Sequence, residues 1–180
     1  TKGWCFIIKK ILLIILALIT IFELKNHTNE YVIIPKESIR FRIIPNSNTL
    51  EDITMKEKVK TEITDVISNI ETTTDIKETR KKITESIPTI ENKINNLFEK
   101  ENYNQTFKIN YGINHFPEKI YKNVKYQEGD YESMVIEIGE AKGDNYWCVL
   151  FPPLCMIDAE ESDDVEYSFF ISEIINKYFK

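Results

Sequence analysis

The period of the apolar pattern changes near Asn104, and that change restricts the fold more than any other feature of the chain. Before it the spacing is helical. Leu50, Ile53, Val59, Ile63, Val66, Ile67 and Ile70 fall on one stripe of a helix expected over about 50–70, with Lys and Glu on the other face. Thr49 is its expected N-cap, and Glu51 and Asp52 in the first turn suit the helix dipole. After "TTTD" (72–75) a second helical stretch carries Ile76, Ile83, Ile87, Ile90, Ile94, Leu97 and Phe98. Pro88 lies inside it and is expected to kink or split it, because proline lacks the N–H and clashes with the preceding turn.

Beyond Asn104 the period is two, as in strands with one buried face. "TFKINYGI", "EKIYKNVKY" and "YESMVIEIGE" read as strands, the last two joined by a turn at "QEGD". After a second turn at "KGDN", "YWCVLF" is apolar on both faces and is placed centrally in the sheet. A further strand precedes the helices, where Ile39, Phe41 and Ile43 alternate with Ser38, Arg40 and Arg42. The acidic loop "DAEESDDVE" leads into a terminal helix expected to dock through Phe169, Phe170, Ile174, Ile175 and Tyr178. The fold class is therefore α+β, two main amphipathic helices on one face of a mostly antiparallel sheet.

The first 22 residues belong to neither pattern. Lys9 and Lys10 precede the apolar run "ILLIILALITIF" (11–22), and no acidic residue occurs before Glu23. Twelve apolar residues suit the h-region of an export signal; counted from Trp4, with the lysines snorkelling, the segment is long enough to remain as an anchor. The basic flank places the N-terminus in the cytoplasm and the bulk of the chain outside. The organisation read from the sequence is a signal or anchor segment (1–22), a polar tether (23–36) and a single exported α+β domain (37–180).

Several function classes are disfavoured. A formal net charge of −6 argues against nucleic acid, which requires clustered Lys and Arg. No Gly-rich phosphate loop or G-x-S-x-G elbow is present, so no cofactor or small-molecule substrate is expected. His27 and His115 have no ligand-like spacing to the cysteines, so no metal is expected either. Cys148 with His115 is the single cheap catalytic pair, but Cys148 lies mid-strand between bulky neighbours rather than at an electropositive helix terminus. No catalytic residue is assigned; an anchored cysteine-dependent enzyme and a structural envelope domain stand as alternatives.

"NYWCVLFPPLC" (145–155) gathers two of the three cysteines, one of the two tryptophans and two adjacent prolines. In an exported chain Cys148 and Cys155 can pair as a disulfide, closing the Pro152–Pro153 turn into a rigid exposed corner suited to recognition. The other reading is two reduced thiols packed as small hydrophobes.

Three blocks carry a resemblance: "IRFRIIPNSNTLEDITMKEKVK" (39–60), "FPEKIY" (116–121) and "GDYESMVIEIGEAKGDNYWCVLFPPLC" (129–155). Together the chain resembles the stage II sporulation protein R family of endospore-forming Firmicutes. The first block departs at Arg42, Pro45 and Asn48, where the family usually carries His, Ala and Asp. The resemblance implies a signal made in the forespore and exported into the space between the two membranes. There it would trigger a membrane-embedded aspartic protease that processes the precursor of the mother-cell sigma factor. The contact surface expected on this chain is the "NSN" turn (Asn46, Ser47, Asn48) together with Lys142, Asn145, Trp147, Pro152 and Pro153.

Overall fold

The computed structural model describes Ile15, residues 31–156 and residues 164–179. Apart from Ile15, the signal or anchor segment lies outside the described residues, as do most of the tether and residues 158–163 of the acidic loop, whose last three residues open the terminal helix. Among those described, no helix is long and apolar enough to cross a membrane.

The helical half follows the stripe, with three differences. Thr49 caps α1 (Leu50–Glu62) by accepting the Asp52 N–H. The expected single helix divides at Ile63, after which α2 runs from Thr64 to Ile70. Ile63 leaves helical geometry (φ −100°, ψ 2°) yet stays 1% exposed, so the break keeps both halves of the stripe against the sheet. Leu50, expected on that stripe, is the first residue of the helix and is 84% exposed. The third helix, α3 (Ile76–Glu101), begins at Asp75, whose carboxylate accepts the Lys77 and Glu78 N–H groups, and ends at Asn102 in the left-handed region. Pro88 neither splits nor ends it. Pro88 and Thr84 both face solvent, so the carbonyl that loses its partner remains open to water.

The main sheet has the order β3 (Phe107–Phe116), β6 (Gly129–Ile138), β2 (Ile39–Ile44), β7 (Tyr146–Phe151). Two of its three pairings are antiparallel and β2–β6 is parallel. Ile39, Phe41 and Ile43 of β2 and Met134, Ile136 and Ile138 of β6 face the helices, packing on Val59, Ile63, Ile70, Ile83, Ile90 and Ile94. Each fully buried side chain of this kind contributes roughly 1.5–3 kcal/mol. Strand β7 is an edge strand, not a central one. Both its faces are apolar because both are covered: Cys148 and Leu150 by the helices, Val149 by a second layer.

That second layer is a small sheet in the order β1 (Val32–Ile33), β5 (Val124–Tyr126), β4 (Lys119–Tyr121). "EKIYKNVKY" is therefore a hairpin, not one strand; Lys122 and Asn123 both take positive φ (46° and 59°), as a tight two-residue turn requires. "QEGD" does not join paired strands. The β3–β6 antiparallel pair closes from Phe116 to Gly129, and the β4–β5 hairpin is folded out of their connection. "KGDN" is not a hairpin turn either, since β2 lies between β6 and β7 and the chain must cross over its end. Val32–Ile33, within the stretch read as tether, pairs parallel with β5, and Ile34 is buried. The last helix, α4 (Asp164–Tyr178), docks here through Tyr167 and Ile171, with Ile174 and Ile175 half-buried. Phe169 and Phe170, expected to dock, are 60% and 44% exposed on its outer side.

Candidate functional site

Two loops meet at the end of β2. Residues 45–49 leave the strand, and residues 139–145 cross over it on the way from β6 to β7. The Lys142 N–H donates to the Asn46 carbonyl (3.1 Å) and the Gly143 N–H to the Pro45 carbonyl (3.0 Å). Asn46 Oδ1 accepts the Glu140 N–H (3.0 Å), and Asn48 Oδ1 accepts the Asp144 N–H (2.6 Å). Closeness of this order demands glycine. A Cβ on Gly143 would lie 2.3 Å from the Ser47 carbonyl oxygen, and one on Gly139 (φ +57°) 2.3 Å from Asn46 Oδ1.

Asp52 in the first turn of α1 holds the pair from beneath. Its buried carboxylate accepts Asn46 Nδ2 (2.9 Å), the Ser47 hydroxyl and the Tyr103 hydroxyl. Burial pushes its pKa up, but the hydrogen bonds from Ser47, Tyr103, Asn46 and Thr49 outweigh it and hold the group at about 2. Of the expected contact residues, the structure thus brings Asn46, Ser47, Asn48 and Lys142 together. Asn48 and Lys142 are exposed, and Lys142 pairs with Glu140 (2.7 Å).

The proline corner is built differently from the expectation. Cys148 and Cys155 form a disulfide with their Cα atoms 5.2 Å apart. The Leu154 N–H returns to the Val149 carbonyl (3.1 Å), folding the corner back on its own strand. Glu71, after α2, accepts the Cys155 N–H (2.8 Å). Burial drives Glu71 up to about 7 even though the backbone N–H groups of Cys155, Met156 and Leu154 favour its charged form. The corner is not an exposed one: Pro152 and Leu154 are buried and Pro153 is half-buried, leaving Met156 as the apolar side chain in solvent. Trp147 is also half-buried, its ring 5.2 Å from Phe116 and 5.9 Å from Tyr126, and Asn145 is half-buried beside it.

The carboxylate of Glu71 and the two sulfurs lie within 4.8 Å of one another, but sulfurs joined in a disulfide have no thiolate to offer a metal. His115 is exposed on β3 against Asp130 (3.1 Å) and Glu128 (3.7 Å).

Sequence periodicity missed two features. Arg40 and Ser38, assigned to the solvent face of β2, are fully buried because the second layer covers that face. The Arg40 guanidinium lies 3.3 Å from the centroid of Tyr131 and donates to the Gln127 carbonyl (3.3 Å), while its Nε and Nη2 have no hydrogen-bond partner among the described residues. Burial lowers its pKa against the favourable influence of Tyr131 and Tyr126. The other missed feature is a cleft of about 610 Å3 bounded by α1, β4, β7 and the disulfide corner. Lys56, Lys60 and Lys119 line it beside Tyr146 and Trp147. The period-2 reading of "EKIYKNVKY" gave no hint that Lys119 would face α1.

Such an arrangement defines a class: a disulfide-clamped α+β domain in which a crossover loop is locked onto a strand-to-helix loop, beside a cationic aromatic cleft. The family model of stage II sporulation protein R (spore_II_R) matches residues 35–161, and the chain belongs to that family. It is 35% identical over 139 residues to stage II sporulation protein R of Bacillus subtilis (strain 168), an alignment covering 77% of this chain. The chain spans 62% of the length of that curated relative. No solved structure matches.

Proposed function

We propose that this sporulation protein is an exported signal that activates a membrane-embedded aspartic protease, which then processes the precursor of the mother-cell sigma factor. The observation carrying this reading is family membership across both interlocked loops and the disulfide. The apolar N-terminal run behind Lys9 and Lys10 supports export from the forespore into the intermembrane space, with residues 4–22 as signal or anchor. Activation requires that the chain bind the active state of the protease better than the inactive one, since a ligand shifts an equilibrium only by its differential affinity. A rigid surface serves that end, because little ordering entropy is lost on contact. The loop pair supplies one, with Asn48 and Lys142 at its exposed edge.

The test is reconstitution in a non-sporulating host. The exported chain is co-expressed with the cognate protease and the sigma precursor, and precursor length is followed on a blot. Processing that depends on the chain, and persists after a membrane-impermeant thiol blocker, is the expected result. Absence of processing with intact protease, or its abolition by the blocker, would overturn the reading in favour of cysteine chemistry or a structural role.

A further inference from the structure

The cleft beside the disulfide has an electrostatic character opposite to that of the whole chain. The formal net charge is −6, yet three ammonium groups, those of Lys56, Lys60 and Lys119, line the cleft, and Glu57 is the one acidic residue among its described lining residues. Burial lowers the Lys119 pKa against the favourable influence of Asp144, which stands outside that lining. Lys56 is buried and already occupied: it donates to the Asp144 carbonyl (3.1 Å) and pairs with Glu57 (3.4 Å). Lys60 reaches Glu57 only at 3.8 Å and stands 4.7 Å from the ring centroid of Tyr146. Lys119 makes no ion pair among the described residues; its ammonium stands 5.4 Å from the ring centroid of Trp147. Two cations are thus held over two aromatic faces on the walls of one cleft, Lys60 in a long pair with Glu57 and Lys119 in no ion pair among the described residues. Tyr121, Met156 and the disulfide also line the cleft.

We infer that this cleft docks an acidic peptide segment of the membrane partner, one placing a carboxylate between Lys60 and Lys119 and an apolar side chain against Tyr146 and Trp147. A carboxylate there gains charge-assisted hydrogen bonds in a partly desolvated setting, where they are stronger than in open water. The neighbouring rings supply the apolar contact area that anchors such segments. Nucleic acid fits poorly, since Glu57 shares the α1 wall with Lys56 and Lys60 and the chain as a whole carries a formal charge of −6. The inference rests on the reading of the protein as a signal to a membrane partner, and it makes Trp147 and Asn145 contact residues from inside a cleft rather than from an exposed corner.

Two experiments separate the inference from that reading. In the reconstituted host, Lys119→Glu is expected to lower precursor processing at least five-fold, Lys119→Gln to lower it less, and Lys119→Arg to retain it. Charge reversal at exposed Lys108, outside the cleft, should leave processing unchanged. Wild-type processing by a folded Lys119→Glu chain would overturn the cleft and leave the signalling reading intact. If the wild-type chain itself elicits no processing, the signalling reading fails and direct binding decides the cleft. The full chain in detergent micelles is titrated with the peptide Ac-Asp-Phe-Glu-Asp-amide while the Trp147 indole N–H resonance is followed. Saturable binding at least ten-fold tighter than that of Ac-Asn-Phe-Gln-Asn-amide, lost in Lys119→Glu, is expected. Equal affinity for the two peptides, or no saturable shift, would overturn the inference.

Discussion

Replacing Gly143 by alanine tests the interlocked loops at their closest point. The added Cβ would stand 2.3 Å from the Ser47 carbonyl oxygen, 2.7 Å from its carbon and 2.6 Å from Pro45 Cγ. Ordinary contact begins near 3.4 Å, so the loops must part by about an ångström, and the obstacle is backbone rather than a flexible side-chain tip. Parting them breaks or lengthens the Gly143-to-Pro45 and Lys142-to-Asn46 hydrogen bonds, each worth about 0.5–1.5 kcal/mol net. Overpacking adds about 1–3 kcal/mol where the crowding cannot relax. A total near 3 kcal/mol is expected, which in a domain of this size lowers Tm by about 6–12 °C. Gly112→Ala is the internal control. Its Cβ meets nothing closer than 4.0 Å, so Tm should hardly move. Calorimetry on the two variants measures the difference; equal Tm values for Gly143→Ala and Gly112→Ala would refute the packing of the crossover loop on the 45–49 loop.

Closing the eight-residue Cys148–Cys155 loop restrains the unfolded chain by about 2.5 kcal/mol in the chain-entropy account, so a Cys148→Ser, Cys155→Ser double variant should lose roughly that much in urea unfolding. Asp52 titrates at about 2 in the fold, below its ordinary value of 3.8. Its contribution should therefore be complete above pH 4 and be lost as pH falls through 2, and the stability advantage of wild type over Asp52→Asn, followed by urea unfolding from pH 6 to pH 2.5, should shrink over that interval. Glu71 runs the other way: held near 7 against 4.5 in the unfolded chain, it makes the fold less stable as pH rises from about 4.5 through 7. Glu71→Gln keeps an acceptor for the Cys155 N–H and should flatten that slope when unfolding is compared at pH 5 and pH 8.

Local chemistry determined much of this protein without reference to the fold. The stripe from Val59 to Ile70, the Thr49 cap and the alternation of Ile39, Phe41 and Ile43 each depend on neighbours a few residues away, which is why period and composition suffice to read them. The α+β class follows from those periods alone. Tertiary structure decided what lies against each element. Nothing in "YWCVLF" says whether two apolar faces mean a central strand or an edge strand covered twice, because burial of a face reports cover and not the number of hydrogen-bonded neighbours. Nothing local to "IRFRII" says that Arg40 is buried; that depends on a hairpin beginning 79 residues later, at Lys119, folding over it and supplying Tyr126 beside Tyr131 of β6. The cleft is the extreme case. Its lysines come from α1 and β4 and its aromatic rings from β2, β4, β5, β7 and α4, so it exists only once packing has placed those elements side by side.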